Sequence, residues 1–143
     1  MNNNDNGPGN SEIEITDLYP GEFALDGQKI AKFLTALEAG EILPPISVYK
    51  MSERHIASDG NNRVTAWIKF NQKQKQAIPP MRAIIVVKTL EELSRHHRQR
   101  LECIANKFGK GPEAFLGMRA SDGTPGNSFF EVWTEEASRI TNA

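Results

Sequence analysis

Five consecutive residues in the middle of the chain, Asp59-Gly60-Asn61-Asn62-Arg63, hold the groups that phosphate chemistry needs. An alternating apolar run precedes them and Val64, Trp67, Ile68 and Phe70 follow, so they fall where a strand gives way to a helix. A glycine at such a junction lets a ligand approach the backbone closely. The N–H groups of the first helical turn, reinforced by the helix dipole, favour a phosphate there. Arg63 can add a two-pronged contact to that phosphate. Asp59 can hold a metal ion or accept a proton. The same residues also suit an ordinary Asp-Gly-Asn turn, with Asp59 capping the helix and Arg63 on the surface.

The elements that must position this box are legible on both sides of it. Ile13 and Ile15 alternate with Glu12 and Glu14, which predicts a short half-buried strand. Tyr19-Pro20-Gly21 reads as a turn, with Glu22 on the loop after it. Asp26 is placed to cap a helix from about Gln28 to Ala39. Ile30, Phe33, Leu34 and Leu37 form one apolar face of that helix, and Gly40 and Pro44-Pro45 stop it. Ile46 to Tyr49 and Arg54 to Ala57 read as strands paired through a turn. Asn71 to Gln76 reads as a polar loop. Arg82 to Val87 contains the most apolar run of the chain and predicts a central strand buried on both faces. Thr89 is placed to cap a long helix with the stripe Leu90, Leu93, His97, Leu101, Ile104 and Phe108, and Gly109 and Gly111 end it. A short helical turn covers Pro112 to Leu116, and Gly117 to Asn127 reads as loop. Ser128 to Glu131 fits a capping box, with Phe129, Trp133 and Ile140 on one face of a closing helix. This order predicts an α+β domain, a small mixed sheet flanked by helices.

Composition bounds the rest. The 143 residues are one domain by length, long enough to bury roughly 70% of the unfolded surface. Residues 1–10 hold five asparagines and nothing to bury, so a disordered tail is expected, with a single domain over 11–143 that carries the extra C-terminal helix. A net charge of −1 speaks against a protein coated for bulk nucleic-acid binding. The lone Cys103 excludes an internal disulfide and a multi-cysteine zinc site. No apolar run reaches the ~18 residues of a membrane span, and no leader pattern opens the chain, so no membrane partner and a cytoplasmic location are expected.

Two segments carry a family resemblance. Leu43-Pro44-Pro45-Ile46-Ser47-Val48-Tyr49, followed by Ser58-Asp59-Gly60-Asn61-Asn62-Arg63-Val64-Thr65-Ala66, resembles the N-terminal domain of ParB and its relatives in the ParB/sulfiredoxin superfamily. Members show a Pro-Ile-x-Val strand, a second strand, a Gly-x-x-Arg-x-x-Ala box opening a helix, then a further strand and helix. Leu18 to Phe23 resembles the family's segment from first strand to loop. The resemblance implies that Gly60, Asn61, Asn62 and Arg63 bind the phosphates of a nucleotide, ATP or CTP with Mg²⁺. It implies a metal-binding or catalytic role for Asp59, and Glu22 as the second acid, as in the related free-serine kinases. It further implies a hydrolase or phosphotransferase of ATPase, CTPase or nuclease type in a nucleic-acid context such as plasmid or phage DNA. The alternatives are a non-catalytic regulatory module for nucleotide, DNA or protein, or a small-molecule kinase. The box lacks the cysteine that sulfiredoxin chemistry needs, and it lacks the Gly-Glu-Arg-Arg of partition proteins.

Elsewhere, Arg95-His96-His97-Arg98-Gln99-Arg100 offers either a grip on phosphates or a solvated helix face. If the chain binds DNA, phosphate-type contacts predict binding without sequence preference. His97 lies on the apolar stripe and reads as a core histidine. Whether Glu22 converges on Asp59 separates an enzyme from a binding module.

Overall fold

A computed structural model of the chain describes residues 10–51, 54–87 and 93–121. Seven strands and four helices alternate along these residues: β1 (Asn10–Ile13), β2 (Leu18–Tyr19), β3 (Ala24–Asp26), α1 (Gly27–Glu38), β4 (Ile46–Met51), β5 (Arg54–Asp59), α2 (Asn61–Lys73), β6 (Met81–Val87), α3 (Arg95–Phe108), α4 (Pro112–Leu116) and β7 (Arg119–Ser121). Five strands form one mixed sheet in the order β1-β6-β4-β5-β2, while β3 and β7 pair as a separate parallel ribbon. The β1–β6 and β4–β5 pairs are antiparallel; β4–β6 and β2–β5 are parallel. The fold is α+β, a mixed sheet flanked by helices, as the element order predicts.

Side-chain alternation along β4 sorts the core into two layers. Ile46 and Val48 point to one face, where they join Ala57, Met81 and Ala83 beneath α1 and α2. Tyr49 and Met51 point to the other, where they meet Ile56 and the α3 residue Leu101. Asp26 caps α1 as its position predicts, accepting from the N–H groups of Gln28 at 3.0 Å and Lys29 at 3.3 Å. Ile30 and Leu37 on the apolar face of α1 are buried.

Several readings change. The β6 strand is not buried on both faces: Ile84 and Val86 are 45% and 37% exposed, because among the described residues the cluster under α3 draws on β2, β4 and β5 and takes no β6 side chain. Ile13 and Ile15 are both buried, but the strand ends at Ile13 and a 3-10 turn spans Ile15–Asp17. Helix α2 runs on to Lys73, and Asn71 in its last turn is fully buried, its Nδ2 donating to the Trp67 carbonyl at 2.8 Å. Helix α3 starts at Arg95 with Ser94 as its cap, the Ser94 hydroxyl accepting from the His97 N–H. Asn10, read as the end of the tail, opens β1, and the loop read from Gly117 holds the short strand β7. The cap read at Thr89, residues 1–9 and the closing helix after Ser128 fall outside the described residues.

Candidate functional site

The strand-to-helix box sits where the sequence places it. Asp59 ends β5, Gly60 is the N-cap residue of α2, and no side chain caps the helix. The N–H groups of the first turn are therefore left to other partners. Gly60 holds φ at +101°, a left-handed value that suits glycine, and a Cβ there would lie 2.5 Å from Ile46 Cγ2. Both the backbone and the neighbouring strand require a glycine at this corner.

Asn61 is 4% exposed and turned inward. Its Oδ1 accepts from the Gly21 N–H at 2.9 Å and its Nδ2 donates to the Ala57 carbonyl at 3.0 Å. A Cβ on Gly21 would fall 2.0 Å from that same carbonyl oxygen, so only a glycine lets the loop lie this close to β5. This stitch brings the next residue, Glu22, to the box. Asn62 Oδ1 accepts from the Asp26 N–H at 2.8 Å and ties the start of α1 to the same corner.

The result is a small depression of about 180 Å³ lined by Glu22, Ala24, Lys29, Asp59, Gly60, Asn61 and Asn62. Glu22 and Asp59, distant in sequence, thus converge on one pocket at the N-terminus of α2. The Glu22 carboxylate is hydrogen-bonded to Arg100 of α3. Burial pushes the Glu22 carboxyl above its ordinary value; Arg100 opposes the rise and the Asp59 charge adds a smaller push upward. Asp59 is largely exposed and pairs with Arg63 at 3.3 Å. The rest of the Arg63 fork turns to the backbone, Nη1 donating to the carbonyls of Pro44 at 3.0 Å and Pro45 at 2.7 Å. Arg63 is not among the pocket's walls; it joins Asp59 to the loop before β4.

Sequence reasoning did not single out Gly21, Lys29 or the role of Arg100. Gly21 was legible as part of a turn, but its contact with Ala57 depends on β2 lying parallel to β5. The cluster from Arg95 to Arg100 divides its duties: Arg100 holds Glu22, while His97 is half-buried with its ring edge on Tyr49, centroids 5.9 Å apart. Burial first, then Arg100 and His96, holds the His97 imidazole below its ordinary value. Among the described residues, no three His, Cys, Asp or Glu side chains group as a metal site. A cation at Glu22 and Asp59 would therefore rest on two carboxylates plus oxygens of its ligand. That is the habit of Mg²⁺ at phosphates, so the residues fit Mg²⁺ carried in with a nucleotide.

No family model and no curated protein matches the chain. Similar solved structures include two. One is protein Atu1540 from Agrobacterium tumefaciens, 15% identical, over 93% of this chain and 81% of that one, with a TM-score of 0.52. The other is sulfiredoxin from Arabidopsis thaliana, 22% identical, over 64% of this chain and 98% of that one, with a TM-score of 0.49. No described helix is long and apolar enough to cross a membrane. The likeness to Atu1540 is one of fold, an α+β arrangement of a mixed sheet flanked by helices.

Proposed function

We propose that the chain binds a nucleotide through its phosphates at the N-terminus of α2 and hydrolyses or transfers a phosphoryl group there. The convergence of Glu22 and Asp59 on the pocket that Gly60, Asn61 and Asn62 line carries this reading. The uncapped first turn of α2 offers N–H donors to phosphate oxygens, and Lys29 supplies a point charge beside them. At about 180 Å³ the pocket is smaller than the ~300–1,000 Å³ of whole-ligand sites, which suits a phosphate group with the nucleoside outside.

Phosphoryl transfer asks for positioning and charge neutralisation more than for covalent chemistry. Asp59 and Glu22 would hold Mg²⁺, which neutralises developing charge on the phosphate oxygens. Glu22 also takes the hydrogen bond from Arg100. Arg100 keeps its carboxylate turned toward the pocket. Arg63 acts on the phosphates at one remove, by fixing Asp59 against the Pro44-Pro45 carbonyls.

The reading is tested by a thermal-shift panel of ATP, ADP, CTP and GTP with and without Mg²⁺, followed by phosphate release with and without DNA. Binding to the native state raises the melting temperature by mass action. A metal-dependent rise with one nucleotide and release of phosphate are expected. A rise without release, under every acceptor and with DNA, would move the protein to the class of regulatory nucleotide-binding modules. No rise with any nucleotide would overturn the reading.

A further inference from the structure

A second and larger pocket, about 380 Å³, opens at the far ends of α1 and α2. Its walls are mostly apolar, with Leu37, Ile42, Leu43, Trp67, Phe70 and Met81 among them, and Glu41 and Arg82 are the charged residues of the lining. Trp67 and Phe70 lie stacked, centroids 6.4 Å apart and rings 22° from parallel. The Trp67 Nε1–H already donates to the Pro79 carbonyl at 2.8 Å, so the indole has no polar group left to offer a ligand. Ile42 at the edge is 83% exposed. A surface of this kind calls for an apolar occupant.

We propose that the occupant is the chain's own segment 122–143, which brings Phe129, Phe130 and Trp133 to this pocket. The chemistry matches, since aromatic side chains prefer offset or edge contacts with other rings such as the Trp67–Phe70 pair. The reach matches as well. The last described strand, β7, ends at Ser121, which pairs with Asp26. Asp26 is the N-cap of α1, and the pocket takes Leu37, Gly40 and Glu41 at the other end of that helix. Twelve residues of helix span about 18 Å. From Ser121 to Phe129 an extended chain covers roughly 26 Å. The segment from Ser121 to Phe129 is therefore long enough to span the length of α1 with slack. The assignment stands apart from the phosphate site and does not depend on nucleotide binding.

The test is methyl and aromatic NMR on the full chain. Contacts are expected between ring protons of Phe129, Phe130 or Trp133 and the methyls of Leu37, Ile42 and Leu43, unchanged on tenfold dilution. A full-length variant carrying Phe129→Ala, Phe130→Ala and Trp133→Ala is expected to shift those methyl resonances while leaving Val48 and Ile56 in place. Absence of the ring contacts in the native chain would overturn the proposal. So would contacts that vanish on dilution, because they would come from a second copy. Methyl shifts that stay fixed in the folded triple variant would do the same.

Discussion

The two ends of α2 face different kinds of space. At its N-terminus lies the smaller pocket, lined by two carboxylates, one lysine and two asparagines; toward its C-terminus lies one about twice as large, walled mostly by rings and aliphatic groups. Size favours the second as a binding site, but charge favours the first as a place for chemistry. A reaction that moves a phosphoryl group needs poised acids and oriented dipoles, and volume supplies neither. The larger pocket counts Glu41 and Arg82 among its lining, but the rest of that lining is apolar or glycine, so burial is what it chiefly rewards. On the proposed function, one helix carries a reactive end and a packing end, and substitutions at the two ends should separate activity from stability.

The largest effect is expected at the reactive end. Asp59→Asn keeps the shape of the side chain and removes the carboxylate that the proposed function assigns to the metal, so phosphate release should fall at least ~100-fold, the lower range for loss of such a group. Nucleotide binding, followed separately by calorimetry, should persist or tighten because one negative charge near the phosphates is gone. Adding Glu22→Gln to Asp59→Asn should lower release little further if both acids serve one step. Unchanged release in Asp59→Asn would take chemistry away from this end of α2.

Asn61→Leu comes next and acts through structure. It leaves the Gly21 N–H and the Ala57 carbonyl buried without their partner, at a cost on the order of 3 kcal/mol. Denaturant unfolding would read this directly. Nucleotide binding should fall with it, because Glu22 loses the loop that delivers it. A variant as stable as the native chain would show that the stitch contributes nothing.

Arg63→Ala should destabilise by about 1.5 kcal/mol, through its charged bonds to the Pro44 and Pro45 carbonyls. Its effect on nucleotide affinity should be smaller than that of Lys29→Ala, since Lys29 lines the pocket and Arg63 does not. Titration calorimetry of both variants decides the order. A larger loss in Arg63→Ala would mean that its fork swings from the proline carbonyls to the phosphates.

The smallest effect is one of pH. Because burial raises the Glu22 value in the folded chain, the native state holds its proton to higher pH than the unfolded state does. The associated stability is fully present below the ordinary carboxylate range. It is lost as pH rises through the raised value. Melting temperatures of the native chain and of Glu22→Gln should therefore diverge across that window, with the native chain losing ground as pH rises. Parallel curves would place the Glu22 carboxyl at its ordinary value.

The sequence made the reactive end legible because its residues are contiguous and each has a local reason to be there. Gly60 marks the corner, Asp59 precedes it, and Val64 to Phe70 announce the helix. The α1 helix was equally plain from its cap and its apolar face. Less visible were β2, β3 and β7, which at two or three residues are too short to show a period. Their absence hid the parallel pairing that sets Gly21 against Ala57. The exposure of Ile84 and Val86 was also hidden, since an apolar run does not say how far a covering helix extends. The packing end escaped notice for a related reason. Its walls come from the Gly40–Pro44 turn, two residues of α2 and the approach to β6, and each segment alone reads as punctuation or core.

The Gly21–Asn61 bond closes 40 residues of chain, and the Arg100–Glu22 pair closes 78. Closing loops of that length comes late in folding, after local helices have formed. During synthesis, Glu22 can be carried to Asp59 only once α2 has emerged, and it gains its counter-charge only once α3 has followed. An incomplete or partly unfolded chain is thus left with two separate acids and a bare turn. Whatever reaction the assembled corner performs is withheld until nearly the whole of the described domain is in place.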